Sequence, residues 1–306
     1  MLKNKIISKK NSILFYGLVP PKIKHTKEEI AHIASTQIKR LKDLDIDGLV
    51  LYDIQDESDR TQKIRPFPFM DTVEPCTYAR EYLEVMDFPI IAYRSVGKYT
   101  KEEFTNWLQN IRRKESYSVF VGAPSANAKV NIGIKEAYRL KKEFAKDLTI
   151  GGIMIPERHT VYGNEHLKVF SKIEEGCKFF ISQCVYDLMG AKRFLDDYVT
   201  YGKNHNISLV PIIFTITPCG STQTLNFMKW LGINIPTHLE DRLKNSEDIL
   251  EESVRLSRDI FEILYFYGRG KGVKIGCNVE SVAIKKAEID ASMELLCNIQ
   301  KIMGRV

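Results

Sequence analysis

The chain is short of several features that would place it at once. None of its six cysteines stands in a Cys-x-x-Cys pair; they are Cys76, Cys177, Cys184, Cys219, Cys277 and Cys297. Several lie in apolar runs, so they read as reduced, mostly buried thiols, and the spacing supports neither a disulfide framework nor a metal site. No Gly-x-Gly-x-x-Gly follows a strand-like run, which removes the usual dinucleotide-binding first turn. No apolar stretch approaches the roughly 20 residues of a membrane span, and no cleavage-site pattern follows the N-terminal lysines. A cytoplasmic protein with no membrane partner is expected.

Charge of one sign is also scarce. The chain has 45 basic and 39 acidic residues, a net charge of +6 spread along its 306 residues. The densest basic stretch, Lys3, Lys5, Lys9 and Lys10, reads as a solvated strand or tail. No basic run interleaves with aromatics as in known nucleic-acid modules, so nucleic acid is not expected as a partner. A mild positive balance suits small anionic ligands instead. The charged fraction of 27% and apolar fraction of 44% are ordinary, which excludes wholesale disorder and allows a sizeable core.

What is present is an alternation. Strand-like runs occupy 12–19, 48–53, 88–94, 117–123, 148–155, 178–185, 208–216 and 272–278, each followed by helical periodicity. Thr26 with Glu29, and Thr100 with Glu103, form capping boxes that open two of the helices. Other helices are expected near 77–86, 134–144, 164–175, 189–201 and 281–303, with a long helical region broken near Gly232 and Pro236. The runs are apolar on both faces, as parallel strands buried between layers must be. Eight such units without a composition break predict an α/β fold, a single (β/α)8 TIM barrel forming one domain over 1–306.

In such a barrel the chemistry lies at the C-terminal ends of the strands. The polar residues there are Asp53, Arg94, Ser125, His159, Gln183, Asp187, Thr215, Thr217 and Asn278. The same rule disposes of Gly268-Arg269-Gly270-Lys271-Gly272, which looks like a phosphate cradle. It precedes the eighth strand, so it reads as helix termination by a left-handed glycine. Two strand ends stand out: Pro156-Glu157-Arg158-His159 clusters three ionisable types, and Gln183 puts an amide inside an apolar strand, where it must find partners.

These two places carry a family resemblance. Residues 151–236 resemble the second half of the methylenetetrahydrofolate reductase barrel, whose members are flavoproteins that reduce a one-carbon unit carried on folate. The Pro156-Glu157-x-His159 turn is similar to the family's Pro-Glu-x-His turn, which implies that His159 lies against an FAD cofactor. Glu165 and Lys172 resemble the acid and lysine that hold the flavin's sugar and phosphate portion, and Gly122 matches the glycine after the fourth strand. Ile181-Ser182-Gln183-x-x-Tyr186-Asp187 is similar to the family strand end whose glutamine bonds the pterin. Gln223 and Phe227, closing on Asn234-Ile235-Pro236, resemble the substrate-contacting pair of the lid helix. Asn278, Tyr52 and Asp59-Arg60-Thr61 also match. The resemblance covers nearly the whole chain and is most specific over 151–236.

The departures bear on chemistry. Gly17 stands where the family has its ring-opening acid, Ala123 where it has an aspartate near the flavin, and Ile90-Ile91 where a histidine is expected. Loss of a general acid removes roughly 10²–10⁴-fold of rate. By strand position, Asp53 and Glu157 are the nearest catalytic candidates to replace it. The resemblance therefore implies a divergent flavin-dependent oxidoreductase acting on a folate (pterin) one-carbon substrate. Beside it stands a folate-binding barrel without redox chemistry, which transfers a methyl group or presents the folate. A barrel whose pocket takes another small molecule is the third reading. A homo-oligomer or a redox partner protein is compatible with the first.

Overall fold

Each strand-like run forms a strand, and each strand is followed by helix. In the computed structural model, which describes residues 2–8, 12–112, 116–123 and 128–305 (for Arg60 the backbone alone), the order begins with α1 (Leu2–Ile7), β1 (Leu14–Leu18), α2 (Lys27–Leu41) and β2 (Gly48–Leu51). It continues with α3 (Pro75–Tyr82), β3 (Ile90–Ser95), α4 (Lys101–Gln109), β4 (Tyr117–Val121), α5 (Ile134–Phe144) and β5 (Thr149–Met154). Two helices follow β5, α6 (Pro156–Tyr162) and α7 (Glu165–Glu174), then β6 (Phe180–Cys184), α8 (Leu188–Asn204) and β7 (Ile212–Ile216). The broken helical region is α9 (Thr222–Trp230), α10 (Thr237–Lys244) and α11 (Ile249–Gly270), before β8 (Ile275–Glu280) and α12 (Lys286–Ile302).

The strands close in sequence order, β1 to β8, as a parallel barrel, so the fold is a single (β/α)8 TIM barrel. All residues of β2 and β7 are buried, the signature of strands covered on both faces. Among the described residues no helix is long and apolar enough to cross a membrane.

Backbone packing divides the chain into two compact units, Gly17–Gly151 and Met1–Tyr16 with Gly152–Val306. In the first, both expected capping boxes form, at Thr26 with Glu29 and Thr100 with Glu103. Its buried polar centre is Arg94, whose guanidinium lies 4.2 Å over Trp107 and 4.6 Å over Tyr99 and pairs with Glu74 at 2.6 Å. A buried cation is tolerable only when paired and packed in this way.

In the second unit, Ser182, Thr215 and Asn278 bridge three adjacent strands. Thr215 N–H donates to Ser182 Oγ, Thr215 Oγ1 donates to the Ser182 carbonyl, and Asn278 Nδ2 donates to Thr215 Oγ1. Two expectations are corrected here. The N-terminal lysines do not sit on a solvated strand or tail: α1 is helical, Leu2 and Ile6 are buried, and Lys274 Nζ donates to the Ser8 carbonyl at 2.7 Å. Lys9 and Lys10 lie outside the described residues. The last helix starts at Lys286 rather than 281, because Val282 N–H is taken by Thr217 Oγ1 and Ser281 Oγ by the Ala283 carbonyl. The glycine-rich segment does end α11, with Gly272 at φ +80°.

Gly276 marks a close approach of backbones. A β-carbon there would lie 2.7 Å from the Ile13 carbonyl oxygen, the atom that accepts from Cys277 N–H. Gly276→Ala is expected to destabilise the protein by about 1–3 kcal/mol through overpacking, measured by urea unfolding. A variant as stable as the parent would show that β1 can shift to make room.

Candidate functional site

Most of the candidate residues lie in the second unit, near the ends of β5 and β6 and on the helix that follows β7. Gln183, at the end of β6, is half-buried, and its Nε2 donates to the Leu231 carbonyl at 2.9 Å. Leu231 is the C-cap of α9, the helix that carries Gln223 and Phe227. The other end of α9 is held by Ser221, whose side chain accepts from Thr224 N–H, and by Thr224 Oγ1 donating to Glu288 Oε1 at 2.9 Å. Gln223 is exposed, and Phe227 is half-buried with its ring stacked 6.2 Å from Trp230. A primary amide has two donors and an acceptor oxygen, so the Leu231 bond leaves Gln183 with a donor and an acceptor for a ligand. The structure thus ties Gln183 to the helix bearing Gln223 and Phe227.

Asp187 organises the neighbouring segment. It is the N-cap of α8, accepting from Gly190 N–H at 2.9 Å. It also accepts from Thr160 Oγ1 of α6 at 3.0 Å and from Asn234 Nδ2 at 3.3 Å. Glu157, at the start of α6, is 6% exposed, and neither carboxyl oxygen has a hydrogen-bond partner of normal geometry among the described residues. Burial pushes its carboxyl up to about 8; its own backbone N–H opposes this, and the Asp187 and Glu165 carboxylates add smaller upward contributions. A carboxyl kept neutral near pH 7 can donate a proton or a hydrogen bond.

Of the four residues that the resemblance assigns to the flavin, Glu165, Lys172 and His159 are engaged within the second unit. Glu165 Oε1 accepts from Ile155 N–H at 3.1 Å, and its other oxygen lies 3.3 Å from Lys168 Nζ. Lys172 Nζ donates to the Ile153 carbonyl at 2.6 Å, and burial lowers its pKa from the usual lysine range. His159 is a helical residue rather than part of an open turn: its Nε2 lies 3.0 Å from Asp197 Oδ2, and its ring meets Phe194 and His166 edge-on. Their polar atoms hold the end of β5 and the packing of α6 on α8.

The remaining candidates lie in the first unit. Asp53 takes Ser95 N–H at 2.8 Å, Lys98 Nζ at 2.7 Å and Tyr99 O–H at 2.9 Å, so its carboxylate is already occupied as an anchor. The Gly122 carbonyl accepts from Gln55 Nε2 at 3.2 Å. Ser125 lies outside the described residues. Sequence reasoning placed Asp187 at a strand end but missed its hub role, and missed Thr160 and Glu288 altogether. An Asp directly before a helix is a capping signal and could have revealed the first; the pairing of Thr224 with Glu288, 64 residues apart, leaves no local signal.

A family profile described as Methylenetetrahydrofolate reductase matches residues 137–273. Among solved structures, the chain is similar to an uncharacterized protein from Clostridium thermocellum that binds two copies of 5-methyl-5,6,7,8-tetrahydrofolic acid. The two are 46% identical, the likeness covers 99% of this chain and 100% of that one, and the TM-score is 0.88. Xylanase XynB from Paenibacillus barcinonensis, solved with a conduramine derivative, is 9% identical with a TM-score of 0.50 over 91% of this chain and 86% of that one. That likeness is one of fold alone. No curated protein matches the chain.

The Glu157 environment sets a pH dependence. Its folded value, about 8, lies above the ordinary 4.5, so the native protein keeps a proton that the unfolded chain releases between those values. Its contribution to stability is complete below the unfolded value and is lost as pH rises through the folded one. Glu157→Gln keeps the shape without the charge. In urea titrations it is expected to match the parent within about 1 kcal/mol at pH 5 and to exceed it at pH 8. Equal pH slopes for both proteins would show that Glu157 ionises freely in the fold.

Proposed function

Because the chain belongs to the methylenetetrahydrofolate reductase family, we propose that it is a reduced-folate-binding barrel that takes a 5-methyltetrahydrofolate-type ligand at the ends of β5–β7. The observation that carries this reading is the Gln183–Leu231 bond, which holds one amide beside the helix that presents a second amide, Gln223, and an aromatic wall, Phe227. A pterin carries donors and acceptors on one edge and a flat ring, and amides with an aromatic face match it. The ligand of the 46%-identical Clostridium thermocellum protein supports the same class. Glu157 is assigned as the proton donor, a neutral carboxyl in the same unit that would protonate the pterin nitrogen as the bond to its methyl group breaks and the methyl passes to a nucleophile carried by a partner. The chemistry this suits is methyl transfer or presentation of the folate to a partner.

The second reading is the flavin-dependent oxidoreductase, and family membership favours it. FAD would bring hydride transfer to the one-carbon unit carried on the bound pterin. The residues for that group do not fit it well as they stand. Lys172, Glu165 and His159 are committed to Ile153, Ile155 and Asp197, and a flavin would have to displace those partners. Gly17 and Ala123 also replace the acid and the aspartate of the redox pattern. We therefore place folate binding without flavin chemistry first, and a redox partner protein belongs only to the second reading.

Isothermal titration of the purified protein with 5-methyltetrahydrofolate is expected to give saturable binding. Gln223→Ala, at an exposed position, should weaken it about tenfold, the worth of one ligand hydrogen bond, with the melting temperature unchanged. Gln183→Ala should weaken binding and also lower the melting temperature, since the Leu231 carbonyl loses its donor. Absence of folate binding by the parent would overturn the proposal. An absorption spectrum with stoichiometric flavin bands would move the conclusion to the redox reading.

A further inference from the structure

Three consecutive helices bring together a group of side chains that the folate reading does not use. His159 of α6, His166 of α7 and Asp197 of α8 each offer one ligand atom, and these atoms lie within 4.8 Å of one another. His159 is 5% exposed, while the Asp197 side chain is about half exposed, so the cluster has a buried floor and an open mouth. His159 Nε2 and Asp197 Oδ2 are 3.0 Å apart. The His159–Asp197 pair accounts for one ring nitrogen only. The Nδ1 atoms of both His159 and His166 are buried without a hydrogen-bond partner among the described residues. A neutral imidazole carries one donor and one acceptor nitrogen, and leaving such an atom buried and unmatched costs about 1–3 kcal/mol. Packing alone, with His166 edge-on to His159 at 5.3 Å, does not relieve this; an ion at the cluster would relieve it at His166, while His159 Nδ1 carries the ring proton.

We propose that His159, His166 and Asp197 form a binding site for a divalent first-row transition metal ion, with Zn2+ as its representative. The ion takes the place of the proton shared by His159 Nε2 and Asp197 Oδ2, and that proton moves to His159 Nδ1, so the ring binds as a neutral ligand. A ring nitrogen of His166 is the third ligand, and water from the open side the fourth. At metal–ligand lengths of about 2.0–2.1 Å, the 3.0 Å edge between His159 and Asp197 corresponds to a ligand–metal–ligand angle of about 95°. His166, only partly buried, has room to close the remaining gap. Two imidazoles in three ligands select zinc-like ions over magnesium and calcium, which prefer oxygen donors throughout.

The site does its work as a clamp. The three ligands come from the segment that follows β5 and from α8, which Asp187 already joins at its first turn through Thr160. An ion bound there fixes α6 at its far side, two residues beyond Glu157. Its chain positions, 159, 166 and 197, match no local metal motif, which is why the spacing of the sequence gave no sign of it.

The test is titration of tag-free protein, stripped with a chelator and dialysed, with Zn2+ in competition with a chromophoric chelator; Co2+ absorption reports the ligand geometry. The expected result is one Zn2+ per chain with micromolar or tighter affinity and a raised melting temperature. His166→Gln and Asp197→Asn, both at solvent-accessible positions, should each weaken binding by at least about 100-fold, beyond the 10–100-fold typical of supporting residues. His32→Ala, a change at an exposed histidine of α2, should leave it unaltered. Circular dichroism of each variant checks that it folds. No saturable binding by folded parent protein, or unchanged binding in His166→Gln, would overturn the site. Equal weakening by His32→Ala would identify adventitious binding to surface histidines and overturn it as well. Folate titrations of the same samples keep this outcome separate from that of the proposed function.

Discussion

The Asp187 carboxylate is the constraint on which the candidate site depends. One oxygen satisfies a free backbone N–H at the start of α8, and the other receives Thr160 from α6 and Asn234 from the segment after α9. An N-cap is worth about 1 kcal/mol in helix stability, but here the same side chain also accepts from two other segments, through Thr160 and Asn234. Its negative charge is among the influences that keep the Glu157 carboxyl protonated. A structural cap therefore shapes the acid–base character of its neighbour.

The helix α9 is held in a comparable way at both ends. Glu288 of α12 takes Thr224 at its first turn, and Gln183 of β6 takes the Leu231 carbonyl at its last. Helix ends leave backbone groups without intrahelical partners; here the local Ser221 Oγ accepts from Thr224 N–H at one end and the distant Gln183 donates to the Leu231 carbonyl at the other. The consequence is that Gln223 and Phe227 are presented on a helix fixed to the barrel. Preorganisation of this kind lowers the ordering cost of binding.

Beside β5, charged groups serve the backbone. Lys172 and Glu165 take the Ile153 carbonyl and the Ile155 N–H, the polar groups where the strand ends and α6 begins. Burying an ammonium and a carboxylate is costly unless each is hydrogen-bonded, and these are. The same residue types that suggest a phosphate-bearing cofactor in one dimension thus act as supports for a strand end in three.

The barrel was legible in the sequence. Its alternating apolar runs and helical periods, the two capping boxes and the glycine at the end of α11 express local rules, in which each residue's partner lies within a few positions. Gln183, Gln223 and Phe227 were legible as candidates through a motif that spans adjoining elements. Local pattern misplaced the ends of what it saw, as at 281–285, where Thr217 claims the N–H that would have started α12. What only the tertiary structure decided is how the polar groups are shared. It spends the Asp53 carboxylate on Ser95, Lys98 and Tyr99, leaves Glu157 buried without a normal partner, and gathers His159, His166 and Asp197 from three helices. The physical reason is that burial and hydrogen bonding depend on which segments meet in space. Residue type fixes what a side chain can donate or accept, and only packing determines who is there to receive it.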